Sequence, residues 1–420
     1  MGYTKPDQNG SKGYLMKKAL LVVLVIALAV CSVFAGDFKF LFTELDQHPE
    51  ILAGFLPTLT AIGASYEGLE LIPGNLTQIQ ATIGGGYTQR VLFQNPWSTN
   101  DELGEPLIQD QLLYDEIQVR WNLKFLQGLG QSWVEGKDLV TLYAGYEGRY
   151  EKAVDSMVAG EVRNTGIPQR VPTLDTWFNG HYPSERSIDG NTIYPDLADD
   201  YIAFMNNFYF GAKLNMMDDK MVSNEGATAE IKLQFAPSFL NKKASYYSVT
   251  FNAVGGTTLY ELTNKKGLNV FSIVLIDRVN VNWTDGEKVP VYASMPVSLG
   301  RKVRGFNTNS YNTNFTVVNN LDIRIAGPEF LLDGIFPRLN IFFDMGYYTG
   351  NYLNTKDKSA SDMAEKYNLK QFLCSTGVQL EMCFFDFIDL GFQLSYLISG
   401  QNLRTPEKSW ITGATFFLDF

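Results

Sequence analysis

Three cations stand close together in the polar, turn-rich stretch SLGRKVRGFNTNSYN at residues 298–312: Arg301, Lys302 and Arg304. An Arg is suited to ion-pair chemistry because its planar fork binds a carboxylate through two hydrogen bonds and stays charged. Two downstream segments each place one carboxylate on a polar face, Asp322 and Asp344. We therefore predict that this stretch is a long loop that folds inward and brings Arg304 to both carboxylates.

Two roles for these ion pairs stay open at the level of sequence. The contacts of Arg304 with Asp322 and Asp344 could be a structural brace that keeps the loop folded inward, or they could be part of a conformational switch. Removing one partner would leave an unpaired charge in a confined space, so both roles predict a loss of stability or function.

Other reactive groups do not form a recognisable catalytic or ligand site. His48 and His181 are far apart in sequence, and the chain has no HExxH pattern for zinc. The triglycine at 84–86 lacks the helix and the Lys-Ser/Thr of a phosphate loop, and no G-x-S-x-G offers a hydrolase nucleophile. We therefore expect no enzyme activity, no metal and no cofactor.

The composition favours strands and a secreted chain. Its 420 residues carry a net charge of -11, with 37 Gly and 14% aromatic residues, which favours strands and turns over helices. The negative charge argues against a nucleic-acid partner. Two lysines, an apolar run at 19–30 and the motif CSVFAG predict a signal peptide over residues 1–35.

Alternation of apolar and polar residues over about ten positions recurs along the rest of the chain, as in LNIFFDMGYY at 339–348. The apolar face could be the core of a soluble sandwich or the lipid-facing side of a membrane barrel. Because such barrels have even strand numbers, we expect about 14 to 16 strands, with the missing ones hidden in 151–200. The predicted strands are 58–67, 77–93, 113–125, 139–150, 201–214, 227–235, 246–262, 268–283, 314–325, 339–348, 369–383, 388–398 and 410–420.

The C-terminus favours the barrel. The segment SWITGATFFLDF is an amphipathic strand that ends on an aromatic residue, the pattern that closes bacterial outer-membrane barrels, and its marker residues are Trp410, Phe416, Leu418 and Phe420. The predicted fold is all-β, a transmembrane antiparallel β-barrel with a long loop folded into the lumen. The expected organisation is a signal peptide at 1–35, a short periplasmic lead-in or plug at 36–57 and the outer-membrane barrel at 58–420.

An ordered set of motifs resembles a known family. VRGF (Val303, Arg304, Gly305 and Phe306), an acidic residue in the next strand and FFDMG at 342–346 follow one another before a barrel-closing terminus. The set resembles the BamA and TamA superfamily of outer-membrane assembly factors, which includes two-partner secretion transporters. The resemblance implies that Arg304 sits at the tip of a lumenal loop and is held by the inner-wall partners Asp322, Phe342, Asp344 and Gly346.

The same resemblance implies a function. It predicts an outer-membrane protein that inserts, assembles or translocates proteins or lipids, with outer-membrane lipid and client outer-membrane or secreted proteins as partners. Family members usually carry periplasmic POTRA domains, and we expect a POTRA-less branch here because 36–57 is too short for one. A passive channel or nutrient transporter, and a surface antigen or adhesin with long binding loops, remain the alternatives.

Overall fold

Fourteen strands form one antiparallel sheet in the computed structural model. The structure describes residues 38–44, 59–92, 99–100, 105–106, 112–155, 202–219, 223–242, 244–267, 269–290, 293, 299–306, 313–329, 334–353, 359–366, 368–384, 388–402 and 407–418. The strands are β1 (Phe38–Glu44), β2 (Leu59–Tyr66), β3 (Thr77–Leu92), β4 (Leu112–Gln131), β5 (Asp138–Asp155), β6 (Ile202–Asp219), β7 (Asn224–Ala236), β8 (Ser245–Thr263), β9 (Asn269–Lys288), β10 (Thr313–Ala326), β11 (Ile335–Tyr352), β12 (Phe372–Phe384), β13 (Ile388–Ser399) and β14 (Trp410–Leu418).

Within this sheet each strand pairs with the next, so the order in the sheet is the order in the sequence. Between β3 and β4, Thr99–Asn100 and Glu105–Pro106 form a separate two-stranded ladder. The described ladders leave β1 at one end of the sheet and β14 at the other. Because neighbouring strands are antiparallel, successive connections alternate between the two ends of the strands. The connection 289–312 therefore lies at the same end as the long connections 156–201 and 353–371, and the short turns 220–223 and 264–268 lie at the opposite end.

The two faces of the sheet have inverted polarity compared with a soluble protein. On β11 the inner face carries Phe342 and Asp344, which are 1% and 0% exposed, whereas the outer face carries Ile341 and Phe343 at 41% and 36%. The most exposed residue of the outer face of β13 is Phe392, at 75%. An apolar exterior around a polar interior is the pattern of a barrel surrounded by lipid, and a soluble sandwich would bury the apolar face instead.

The predicted fold class is confirmed, and all thirteen predicted segments contain strands. Several strands are longer than their apolar alternation indicates. The segment predicted at 113–125 is the strand Leu112–Gln131, and the one at 139–150 is Asp138–Asp155. Backbone pairing with a neighbour continues a strand beyond the point where its side chains cease to alternate.

The fourteenth strand is β1, which lies inside the segment 36–57 that the sequence suggests as a lead-in or plug. It pairs with β2 from Phe38 opposite Tyr66 to Glu44 opposite Thr60, so the sheet starts before residue 58. Its seven residues are too few for the alternation to be distinctive. β5 and β6 pair directly with each other, and the extra strands expected in 151–200 stay a prediction. Residues 156–200 and the predicted signal peptide lie outside the described residues.

One short helix, α1 (Ala360–Lys366), interrupts the connection between β11 and β12. Its Ala360 and Met363 pack into an apolar cluster on the inner face. Within the part of the chain that the structure describes, no helix has the length and apolar character needed to span a membrane.

Candidate functional site: a loop bound to the inner face

The stretch with the three cations forms two consecutive turns on the inner face. A single turn of 3-10 helix covers Leu299–Lys302, and the N–H of Phe306 then donates to the carbonyl of Val303 at 3.1 Å. Gly305 has a φ of 92° at the third position of the second turn, as a type II turn requires. A Cβ there would come within 2.7 Å of Leu397, so both the backbone conformation and the close approach require glycine. We call residues 299–306 the lumenal loop.

Arg304 binds both carboxylates. Its Nε donates to Asp344 Oδ2 at 2.8 Å, and one terminal nitrogen donates to Asp344 Oδ1 and to Asp322 Oδ1, each at 2.6 Å. The backbone N–H of Arg304 also donates to Asp344 Oδ2, at 2.9 Å. Asp322 also forms an ion pair with a second cation, Arg278 of β9. The Asp344 carboxylate is fully buried and the Arg304 side chain is 20% exposed, so this is an ion pair largely removed from water.

An aromatic ring completes the guanidinium site. The guanidinium carbon of Arg304 lies 3.9 Å from the centroid of the Phe342 ring, a cation–π arrangement. Phe342 is directly opposite Gly377 of β12, and a Cβ at that position would come within 2.7 Å of the ring. The glycine therefore leaves the space into which the ring fits.

Side chains from three further elements hold the backbone of the lumenal loop. Ser375 of β12 donates to the carbonyl of Arg304 at 2.6 Å, Asn402 donates to that of Gly305 at 2.8 Å, and Asn320 of β10 donates to that of Lys302 at 2.9 Å. These polar residues were not predicted as site residues. For Ser375 and Asn320 the signal is their place on the inner face of the strands that carry or adjoin Asp322 and Asp344, but strand register is needed to use it. Asn402 lies after β13, outside the strands, and the sequence offers no signal for it.

Apolar contacts anchor the loop on the side facing the long connections. Leu299, Val303 and Phe306 are fully buried. They belong to a cluster that also contains Val318, Tyr348, Tyr352, Ala360, Met363, Leu373 and Leu397. Gly346 of β11 makes room for them, because a Cβ there would come within 2.7 Å of Val303 and 2.9 Å of Leu299. Gly346 is thus a contact surface for the loop.

The loop reaches deep along the sheet. Asp344 lies in the middle of β11, and at about 3.3 Å per residue it is roughly 25 Å along the strand from Tyr352, where β11 enters its long connection. The lumenal loop contacts residues from β9 to β13, and the apolar cluster to which it belongs packs against Ile411 of β14.

The two buried cations of the loop differ in their electrostatics. Burial alone would lower the pKa of the Arg304 guanidinium, but the hydrogen bonds and charges of Asp344 and Asp322 outweigh it and raise the pKa. Lys302 has a neutral partner, the side-chain oxygen of Asn280, to which its ammonium donates. Burial lowers the pKa of Lys302 to about 8. Arg304 is therefore permanently charged, whereas Lys302 can lose its proton in mildly alkaline solution.

A second ion network lies on the inner face nearer the short turns. Arg338 of β11 pairs with Glu381 of β12 at 2.7 Å and with Asp389 of β13. Glu381, Asp389 and Cys383 come close enough to one another to resemble a ligand cluster. Because Arg338 already pairs with both carboxylates, an ion network accounts for the grouping of these residues.

The C-terminal marker residues occupy the edge of the sheet. Trp410 is exposed and lies 4.9 Å, ring to ring, from Tyr396. Phe416 pairs with Leu390 and Leu418 pairs with Ile388 in the ladder between β13 and β14. Phe420 lies outside the described residues. The barrel-closing role of this strand stays a prediction.

Comparison with known proteins identifies the family. The Omp85 superfamily domain matches residues 78–383, which contain the lumenal loop, Asp322 and Asp344. The chain belongs to the Omp85 superfamily. Together with the apolar outer face, this membership indicates a bacterial outer-membrane β-barrel protein.

Two solved structures are similar to the chain at low identity. BamA from Haemophilus ducreyi lacking POTRA domains 1-3 is 14% identical, with a TM-score of 0.38, over 86% of this chain and 67% of that one. CdiB from Acinetobacter baumannii is 11% identical, with a TM-score of 0.43, over 91% of this chain and 59% of that one. The chain thus spans about three fifths to two thirds of the length of these proteins. A search of curated proteins found no match.

Proposed function

We propose that this protein inserts, assembles or translocates client proteins at the outer membrane, and that the lumenal loop controls this activity through Arg304. The observation that carries the proposal is the buried contact of Arg304 with Asp344 and Asp322 halfway along the sheet. It occurs in a chain of the Omp85 superfamily. The client proteins would be unfolded or partly folded chains, and the reaction would involve no covalent chemistry.

The ends of the sheet support a physical route for such an activity. β1 and β14 each have one edge that the described ladders leave without a neighbouring strand. An edge offers a row of backbone donors and acceptors to which an extended client can add as a strand. The lumenal loop packs close to this region, since Gly305 approaches Leu397 of β13 and the apolar cluster of the loop contacts Ile411 of β14. Movement of the loop would therefore change the packing beside the β14 edge.

A passive channel is the competing function. It would require an open lumen with the loop held aside, and the buried anchors Leu299, Val303 and Phe306 argue against such a position.

Conductance separates the two functions. The purified barrel would be reconstituted in planar bilayers and compared with Arg304→Ala and with a deletion of residues 300–312. We expect small, fluctuating currents from the unaltered protein and large, stable pores from both variants. Arg278→Ala is the matched control, because it removes a cation from Asp322 without touching the loop. A steady, open pore in the unaltered protein that neither variant changes would favour the channel.

Client folding tests the activity itself. An unfolded eight-stranded outer-membrane barrel would be added to lipid vesicles with and without the protein, and its folding followed by the mobility shift of unheated samples on gels. We expect faster folding with the protein, a reduced effect with Arg304→Ala and an unreduced effect with Arg278→Ala. If the folding rate is the same with and without the unaltered protein, an insertion activity on this class of client is excluded.

A further inference from the structure

The outer face of β8–β10 contains a carboxylate in the middle of its apolar band. Asp277 of β9 alternates with Arg278, which points to the inner face, and Asp277 is exposed on the outer side. Its Oδ1 accepts a hydrogen bond from the side-chain amide of Asn319, which is on the outer face of β10. Neither residue contributes to the lumenal site described above.

Two aromatic pairs define the depth of Asp277. Tyr247 and Trp283 are exposed and pack edge to face at 5.3 Å toward one end of β8 and β9, and Tyr260 and Phe271 lie 6.1 Å apart toward the other. Aromatic girdles of this kind mark the two interfaces of a membrane. Asp277 is midway between positions 271 and 283, which are about 40 Å apart along the strand and about 30 Å apart in height at a typical tilt. The carboxylate therefore lies near the centre of the hydrocarbon layer.

On the described part of β8–β10, Asp277 is the one charged residue of this band. Between the aromatic pairs, the described outward positions of β8, β9 and β10 other than Asp277 contain no Asp, Glu, Lys or Arg. A charged side chain facing lipid at mid-depth is costly and is usually paired or functional. Asn319 supplies a hydrogen bond but no opposite charge. Asp277 therefore lacks a cationic partner on the surface from which it projects.

The surface beside Asp277 leaves room for a partner. Asp277 is directly opposite Gly255 of β8, and a Cβ at Gly255 would meet nothing within 4 Å. The next outward position of β8 is Ala253, which is opposite Ala229 of β7. Small residues beside a polar group allow another membrane segment to approach closely and form a hydrogen bond or ion pair.

We propose that the outer face around Asp277 and Asn319 docks a membrane-embedded segment of a different protein, which presents a Lys or Arg at mid-depth to the Asp277 carboxylate. A second copy of this chain does not fit, since a symmetric contact would bring two Asp277 carboxylates together. Among the residues that the structure describes, the middle outward positions of β4–β13 also offer no Lys or Arg to pair with Asp277. The proposal does not depend on the proposed function, because it concerns the face opposite to the lumenal loop.

Cross-linking in the membranes of producing cells tests the contact. A photoreactive phenylalanine analogue would replace Val279, which is outward and directly opposite Asn319, and in a control chain Leu380 on the outer face of β12. We expect a defined adduct with another protein from position 279 and none from position 380. Asp277→Asn, which keeps the shape of the side chain, should reduce the adduct at least tenfold, and Asp277→Glu should retain it. Folding of each variant is checked by its mobility on unheated gels.

The partner's charge is tested next. The Lys or Arg of the adduct protein nearest the cross-link would be changed to Asp, and this change combined with Asp277→Lys should restore the adduct. The proposal is overturned by adducts to lipid alone, by an adduct to a second copy, by an adduct that Asp277→Asn leaves unchanged, or by a charge exchange that restores nothing.

A measurement on the isolated protein separates docking from a structural brace. In phosphocholine vesicles that contain no other protein, an unpaired carboxylate facing lipid should destabilise the barrel. We therefore expect Asp277→Val to raise the urea midpoint of unfolding, while the same change abolishes the adduct in cells. A lower midpoint for Asp277→Val would mean that the carboxylate braces its own sheet through Asn319, and the docking proposal would be wrong.

Discussion

Two of the polar networks on the inner face are built in different ways. In β4–β7, Tyr143 of β5 donates to Glu230 of β7 and Tyr209 of β6 donates to Asn122 of β4, so each hydrogen bond crosses one intervening strand. In β10–β12, by contrast, the buried Asp344 receives three hydrogen bonds from Arg304, a residue of a loop. The first network forms whenever the strands pair in register. The second forms only when the loop docks.

Glycines make room for side chains of the sheet in the first network and for the loop in the second. Gly211 of β6 accommodates the ring of Tyr143, and Gly145 of β5 accommodates that of Tyr209, with approaches of 2.5 Å and 2.3 Å to an added Cβ. Gly346 of β11 instead accommodates the loop. The β4–β7 part of the sheet is therefore braced by its own strands, whereas the buried carboxylate of Asp344 is neutralised only when the loop is docked. This difference can be tested residue by residue.

The largest expected effect is that of Arg304→Ala. It leaves Asp344 buried without its cation, and removing one member of a buried ion pair costs about 3–5 kcal/mol. Glu230→Gln in the other network keeps a hydrogen-bond acceptor for Tyr143, so we expect a cost of only about 1 kcal/mol. Urea unfolding in lipid vesicles measures both. Equal losses for the two variants would refute the contrast between the networks.

A matched pair of glycine variants should separate loop docking from sheet stability. Gly346→Ala and Gly211→Ala both overpack the inner face, and each should cost about 1–3 kcal/mol. Only Gly346→Ala displaces the loop. Limited trypsin digestion should therefore cleave within residues 299–306 much faster in Gly346→Ala than in Gly211→Ala. Similar cleavage rates would show that Gly346 does not control docking.

A smaller effect is expected from replacing Phe342, whose ring lies beneath the guanidinium of Arg304. Phe342→Leu removes a cation–π contact with Arg304 and should cost about 0.5–2 kcal/mol in unfolding free energy. Phe343→Leu, on the lipid side of the same strand, is the control and should change stability little. The contribution of the ring would be absent if both substitutions had the same effect.

The smallest expected effect is a pH dependence of loop docking. The pKa of Lys302 is lowered to about 8 in the docked loop and has its ordinary value near 10.5 when the loop is solvated. The undocked form binds more protons between these values, so docking strengthens as the pH rises from about 8 toward 10.5 and is weakest below pH 8. Arg304 stays charged throughout because its pKa is raised.

Trypsin cleavage of the loop at constant protease activity measures this dependence. Protection should increase with pH in the unaltered protein, and the increase should be lost in Lys302→Met, which keeps the apolar stem without the charge. An equal pH response in the two chains would show that Lys302 does not set it.

Much of the architecture follows from the sequence. Alternation over the strands predicts the all-β class because side chains of a strand point to opposite faces in turn. It missed β1, whose seven residues are too few to be distinctive. It also left open whether the apolar face is a core or a lipid surface, since both have the same period. The exposed Phe343 and the buried Asp344 on neighbouring positions of β11 decide this in favour of lipid.

The candidate site, too, is only partly predictable from the sequence. The order of Arg304, Asp322 and Asp344 along the chain indicates that they meet, because charge type and motif order are properties of the sequence. The roles of Ser375, Asn402 and Gly377 are not visible there, since they depend on which residues the register places opposite one another.

Residue types and their short-range spacing are enough to predict the antiparallel strands, the family motifs and the chemical nature of the Arg304 contacts. The three-dimensional arrangement was needed to see which face of the sheet is outside, how far the loop descends and that Asp277 is the one charge among the described mid-depth outward positions of β8–β10. Those properties arise from strand register and sheet order. Register brings together residues that are distant in the chain, and local alternation carries no information about which strands become neighbours.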